Sequence, residues 1–163
     1  MGKIRISANL IIVIMALMYS NVFSQTSFSA GLSKAKSSNK IALINIYVDD
    51  DRWSQKMDAV YSNGKIKSLV EGNFVYIKLN ANGNEVYNYG GKDYTAKDLA
   101  KFFGATGYPT HVFLNPDGSI IQFKNNGQNS QNYPGFINEP EFEKLLNYIT
   151  SGQYKNTDLS KVL

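Results

Sequence analysis

The chain has 163 residues, 43% of them apolar and 18% charged, with a formal net charge of +4, which bounds it to one globular domain with a real hydrophobic core. It contains no cysteine and one histidine, His111. This excludes disulfide frameworks, thiolate metal sites, cysteine nucleophiles and any thiol–disulfide chemistry carried by the chain itself, and makes imidazole-rich metal sites hard to build.

In chain order, Lys3 and Arg5 precede an apolar run from Ala8 to Met18 broken only by Asn9, followed by Val22-Phe23-Ser24-Gln25. This reads as a secretory signal over residues 1–24, cleaved after Ser24, and directs the mature protein to the periplasm or outside the cell. The apolar run is shorter than the ~20 residues of a membrane helix; an uncleaved N-terminal anchor is the alternative. After cleavage no membrane association is expected. Removal of Lys3 and Arg5 leaves too little positive charge to point to nucleic acid as a partner.

Residues 25–39 form a Ser- and Lys-rich lead-in with room for one short helix. The domain proper is read as 40–150. Ile41 to Val48 is a nearly continuous apolar run rich in β-branched residues, the pattern of a central strand covered on both faces. It ends at Asp49-Asp50-Asp51, after which Trp53, Met57, Val60 and Tyr61 recur at helical spacing and Asn63-Gly64 closes the helix. A second short helix from about Lys65 to Glu71 leads to a strand over Phe74–Leu79. The stretch from Asn82 to Tyr94 is rich in Gly, Asn and Tyr and reads as a surface loop or hairpin, with Tyr87, Tyr89 and Tyr94 forming a lid on the sheet or a sugar- or peptide-binding cluster.

Thr95 then caps a helix with Leu99, Phe102 and Phe103 inward, ending at Gly104. Val112-Phe113-Leu114 and Ile120-Ile121-Gln122-Phe123 flank the turn Asn115-Pro116-Asp117-Gly118 and are expected to pair as an antiparallel hairpin. A polar loop over Asn125–Asn132 precedes a helix capped by Asn138, with Pro140 in its first turn and Phe142, Leu145, Leu146 and Ile149 on one face. Residues 151–163 remain as a C-terminal tail. The βαβ unit, then a hairpin and a helix, implies an α/β fold with a central mixed sheet flanked by helices on both faces.

The stretch from Asn39 to Met57 aligns without a gap to the pattern N-K-x-x-L-L-x-F-x-A-x-W-C-x-x-C-K-K-M of secreted thioredoxin-like proteins of the sulfur-oxidation type. Phe74 to Leu79 is similar to that family's second core strand. Leu99 to Gly104 with Gly107-Tyr108-Pro109-Thr110 resembles the approach to its cis-proline, and Tyr133-Pro134-Gly135-Phe136 with Glu141-Phe142 resembles its closing glycine and last helix. The chain thus resembles the thioredoxin-like superfamily over roughly residues 31–150, and the resemblance implies the thioredoxin fold. It also places the family's two redox cysteines at Asp51 and Ser54, its active-site tryptophan at Asp50, and its buried acid at Asn45. Neither Asp51 nor Ser54 can form a mixed disulfide, and no adjacent His or Lys pattern activates Ser54. No intrinsic oxidoreductase activity and no cofactor are expected.

The residues inherited at that site, Asp50, Asp51, Arg52, Trp53 and Ser54 together with Tyr108, Pro109 and Thr110, are the candidate binding residues for an extended segment of another protein, in a non-catalytic or chaperone-like role. Membership of a thiol–disulfide exchange system whose partner supplies the thiols is the alternative. Pro109 has a purely architectural reading as well. Trp53 either anchors a partner or buries its ring against a neighbouring loop. The Asp49–Asp51 cluster is read as helix capping in preference to a hard-cation site. His111 is read as a packed strand residue in preference to a catalyst.

Overall fold

The structure, a computed structural model, describes residues 27–163. The secretory-signal reading over 1–24 lies outside the described residues.

The first element, α1 (Phe28–Ser38), leads to β1 (Ile41–Tyr47), whose residues 42–46 are buried on both faces. Next come α2 (Arg52–Ser62), α3 (Gly64–Asn73) and β2 (Phe74–Asn80). β3 (Val86–Tyr89) and β4 (Lys92–Thr95) form a hairpin before α4 (Ala96–Phe102) and β5 (Thr110–Leu114). β6 (Phe123–Asn125), β7 (Gln128–Ser130), β8 (Tyr133–Pro134) and α5 (Glu139–Thr150) follow, and two 3-10 turns, Gln153–Lys155 and Leu159–Lys161, end the chain.

The central sheet has the order β2-β1-β5-β8, with β1 parallel to β2 and antiparallel to β5, and β5 antiparallel to β8. This is the mixed sheet that the element order implies. Strand side chains alternate between faces, so Leu43 and Phe113 join Met57, Tyr61, Phe142 and Leu146 on one side, while Ile44 and Val112 join Phe28, Leu99 and Phe103 on the other. Helices therefore cover both faces. The expected caps form: Asp51 on α2, Thr95 on α4 and Asn138 on α5 each accept a backbone N–H three residues on.

Several expectations are corrected. Asn63 does not close α2 with a left-handed turn; its φ is −59° and its Oδ1 accepts from the N–H groups of Lys65 and Ile66, so it caps α3, and Gly64 is that helix's first residue. Ile120–Phe123 does not form a hairpin strand with β5. Only an isolated bridge from Leu114 to Ile120 and the Ile121 N–H to Phe113 carbonyl bond (2.8 Å) remain. Ile121 and Phe123 drop into the core, and the chain folds back on itself as β6–β7 around Asn126-Gly127, which accommodates the positive φ at both positions that a tight hairpin turn requires. The fourth strand is instead β8, which pairs with Thr110 and His111. The tyrosine-rich segment is the β3–β4 hairpin, and Tyr87 and Tyr89 pack on Phe28 of α1.

The C-terminal residues are part of the packed body. Leu159 is fully buried, and the Asp158 carboxylate accepts from the N–H groups of Asn126 (3.0 Å) and Gly127 (2.7 Å), tying the end of the chain to the β6–β7 turn. Among the described residues no helix is long and apolar enough to cross a membrane.

Candidate functional site

The site lies where β1 hands over to α2 and where the chain enters β5. At the first point Asp51 has extended backbone (φ −86°, ψ 122°) and its Oδ2 accepts from the Ser54 N–H at 2.6 Å. Ser54 is buried, and its Oγ accepts from the Val48 N–H at 3.4 Å. Asp49 is engaged through its carboxylate, which accepts from Asn80 Nδ2 at 2.6 Å, and through its carbonyl, which accepts from Gln55 Nε2 at 3.0 Å. Two of the three adjacent acids thus hold the loop and start the helix. Among the described residues no group of three or more His, Cys, Asp or Glu side chains is placed to hold a metal ion.

At the second point the Tyr108–Pro109 peptide bond is cis. Pro109 and Thr110 are buried, Thr110 Oγ1 donates to the Gly107 carbonyl at 2.7 Å, and Thr110 pairs with Ile46 and Pro134 in the sheet. The Pro109 carbonyl accepts from the Gly135 N–H at 2.7 Å. That bond fixes the loop after β8 beside the proline.

The candidate residues therefore divide. Asp50, Arg52 and Trp53 are exposed, Asp51 and Tyr108 are half-buried, and Ser54, Pro109 and Thr110 are buried. The buried three shape the site and present no side chain to a ligand. Trp53 is 47% exposed, and its ring packs on Phe136, with centroids 5.6 Å apart and planes tilted by 36°. Lys56 Nζ sits 4.5 Å from the Trp53 ring centroid and Arg52 Cζ 5.9 Å.

Phe136, itself 36% exposed, is the functional candidate that sequence reasoning missed. Its signal was an apolar ring between Gly135 and Ile137 just after a Pro-Gly pair, a place where local rules call for a polar turn. Together Trp53 and Phe136 form an exposed aromatic pair fixed at one end by α2 and at the other by the Gly135–Pro109 hydrogen bond.

Beneath the site, inside the sheet, Asn45 and His111 are directly opposed on β1 and β5, and both are fully buried. Asn45 Nδ2 donates to the Tyr76 hydroxyl at 3.1 Å, and the Tyr61 hydroxyl is 3.0 Å from His111 Nδ1. The imidazole packs on Phe142 with ring centroids 5.2 Å apart. Burial pushes the His111 pKa down to about 3, with the Gly135 carbonyl the one group favouring the charged form. Burial likewise raises the Tyr61 and Tyr76 hydroxyls. His111 is thus a neutral core residue that serves no catalytic serine: Ser54 is engaged with Val48, and His111 with Tyr61. With no cysteine in the chain, the site cannot carry a mixed disulfide.

Comparison with characterised protein sequences gives no match. Among solved structures, a thioredoxin-fold protein from Helicobacter pylori superposes with a TM-score of 0.63 at 17% identity, over 76% of this chain and 80% of that one. A thioredoxin from Thermus thermophilus gives 0.54 at 19% identity, over 77% and 87% of the two chains. The C-terminal domain of DsbD from Neisseria meningitidis in its reduced form gives 0.50 at 20% identity, over 73% and 90%. At these identities the likeness is one of fold. A family profile described as Thioredoxin-like domain matches residues 28–150, which takes in β1 to β8, α1 to α5 and the whole site, and the chain accordingly belongs to the thioredoxin-like domain family.

Proposed function

We propose that the protein is a redox-inactive, secreted thioredoxin-fold module that binds an extended segment of another protein at the face built by Trp53 and Phe136. The observation that carries this reading is the exposed Trp53–Phe136 pair, held where the family's dithiol chemistry would otherwise occur. Large rings kept partly in water beside a rigid turn are the residues that dominate binding energy when a partner covers them. Asp51 and Ser54 support the pair by starting α2, and the Pro109–Gly135 bond supports it from the other side. The run from Lys3 to Gln25 supports export to the periplasm or beyond, and the run from Asn39 to Met57 supports descent from the sulfur-oxidation type of thioredoxin.

The test is binding of a permanently unfolded, carboxymethylated polypeptide, read by the emission of Trp53, the chain's only tryptophan, and by calorimetry for variants lacking it. Trp53→Ala and Phe136→Ala are each expected to weaken binding by about tenfold or more, the loss typical of a central aromatic anchor. Full affinity in both variants would overturn the reading.

A further inference from the structure

The chain contains three Asn-Gly pairs, Asn63-Gly64, Asn82-Gly83 and Asn126-Gly127. In such a pair the backbone nitrogen that follows the asparagine can attack its side-chain amide carbon. Glycine, having no Cβ, leaves that nitrogen unshielded and the backbone free to reach the geometry of attack. Two freedoms are needed: the asparagine side chain must swing onto the following nitrogen, and that nitrogen must give up its proton.

The fold withholds one of these freedoms at two of the pairs. The Asn63 amide is held at both ends, since Oδ1 accepts from the N–H groups of Lys65 (2.8 Å) and Ile66 (3.4 Å) while Nδ2 donates to Glu139 Oε2 (2.8 Å). It cannot swing without uncapping α3. At the third pair the Gly127 N–H donates to Asp158 Oδ2 at 2.7 Å, and the Asn126 N–H to Oδ1 at 3.0 Å. Removing the Gly127 proton there places an anion against a carboxylate, and like charges in contact disfavour ionisation.

Asn82-Gly83 has neither restraint. The Asn82 side chain is exposed and makes no hydrogen bond among the described residues. The Gly83 N–H donates to the Asn80 carbonyl at 3.0 Å, a neutral acceptor in a surface turn. The Glu85 carboxylate occupies the space that a side chain at Gly83 would take, but no hydrogen bond joins it to the Gly83 amide and its exposed side chain can turn into water.

We propose that Asn82 is a site of spontaneous covalent modification, converted through a succinimide to aspartate and isoaspartate, while the fold keeps Asn63 and Asn126 intact. The Gly83 nitrogen loses its proton and bonds to Asn82 Cγ; the Cγ–Nδ2 bond breaks, and the side-chain amine leaves as ammonia with that proton. Water then adds to one of the two carbonyls of the ring and opens it. One water is consumed and one ammonia released, with no oxidant or reductant. Opening at one carbonyl gives aspartate; opening at the other gives isoaspartate, whose backbone runs through the side-chain carbon. The altered turn is the one that Asn80 organises: its Oδ1 accepts from the Asn82 N–H at 3.0 Å, and its Nδ2 donates to Asp49 at 2.6 Å. The modified residue therefore borders the loop that starts α2.

Ageing the full chain in mildly alkaline buffer and mapping it by tandem mass spectrometry tests this, because the three pairs fall in separate tryptic peptides ending at Lys65, Lys92 and Lys144. In the folded protein Asn82 is expected to convert at least about tenfold faster than Asn63 or Asn126, the factor set by breaking a hydrogen bond to a charged group before the ring can close. In urea the three rates should converge. Asp158→Ala should raise the Asn126 rate about tenfold and leave the Asn82 rate where it was. The assignment of Asn82 is overturned if it keeps its amide in the folded wild-type chain over a period in which the urea-unfolded chain converts it. It is equally overturned if Asn63 or Asn126 converts as fast as Asn82 in the folded protein. An Asn126 rate indifferent to Asp158→Ala would overturn the shielding by that carboxylate. The first two results are read on the wild-type protein, so neither requires a variant to fold.

Discussion

The Asp51 carboxylate accepts the Ser54 backbone N–H at 2.6 Å, a hydrogen bond that spans the same three-residue step on which redox members of the family carry their two sulfur atoms. Asp51 is half-buried and Ser54 buried, and the sequence resemblance aligns this pair with the family's two redox cysteines. The helix start is capped by this bond and carries no thiol.

Replacing both residues, Asp51→Cys with Ser54→Cys, is accordingly expected to create disulfide reductase activity in the insulin–dithiothreitol turbidity assay, while the wild-type chain and each single variant stay inactive. A thiol at position 51 lies at a helix N-terminus, where thiolate is favoured. Losing the Asp51 cap costs about 1 kcal/mol, which the fold should tolerate. An inactive but folded double variant would show that the scaffold itself has drifted away from the redox geometry.

The buried imidazole gives stability a specific acid dependence. His111 is neutral when folded, with its pKa pushed to about 3, against 6.5 when free, so below 6.5 the unfolded chain binds a proton that the folded chain refuses. Its contribution is fully present above pH 6.5 and is lost as the pH falls toward 3, at about 1.4 kcal/mol per pH unit. Asp158 acts in a lower window: hydrogen bonds from Ser160 and Gly127 hold its pKa at about 2, below the ordinary 3.8, so its contribution is lost between those two values. Urea unfolding followed from pH 7.5 to pH 5 should show a decrease of about 2 kcal/mol in wild type. The decrease should be absent in His111→Gln.

Gly31 sits where α1 crosses β2. A Cβ built there would lie 2.5 Å from Ile77 Cγ1 and 2.6 Å from Cδ1, and Ile77 is itself fully buried with no room to turn aside. Gly31→Ala is therefore expected to destabilise the domain by about 1–3 kcal/mol through overpacking, against the gain in helix propensity that alanine would bring on an exposed face. Thermal unfolding measures it; a variant as stable as wild type would mean that α1 can ride outward at little cost.

Asp158→Ala should free the end of the chain. The carboxylate serves the turn amides of Asn126 and Gly127 and the N–H and Oγ of Ser160 at once. Limited proteolysis with trypsin is expected to cut after Lys161 earlier in the variant than in wild type, with the Tyr148 hydroxyl's bond to the Thr157 carbonyl at 2.7 Å marking where the released segment begins. Equal cleavage rates would mean that the burial of Leu159 alone secures it.

Much of the architecture is decided within a few residues of each position, and is therefore readable along the chain. The run Ile41 to Val48 can only satisfy its apolar side chains between two layers of helix, and it lies there. Asp51, Thr95 and Asn138 reach amides three residues away, so their capping needs no knowledge of the rest of the molecule. The absence of cysteine, which removes the family's thiol chemistry, is a fact of composition alone.

Tertiary structure alone settled the matters in which distant segments compete or meet. Ile120–Phe123 and Tyr133–Pro134 both offered an edge to β5; burial of Ile121 and Phe123 in the core, together with the self-pairing of the segment around Asn126-Gly127, gave the edge to the shorter strand. Asn63 resembled a helix stop because asparagine before glycine serves equally well at either end of a helix. Phe136 had no visible role until Trp53, 83 positions earlier in the numbering, was brought to 5.6 Å from it. Capping and periodicity act along the chain over one helical turn, whereas burial is shared among residues that only the folded topology makes neighbours, and it is burial that placed His111 in the core and Phe136 at the surface.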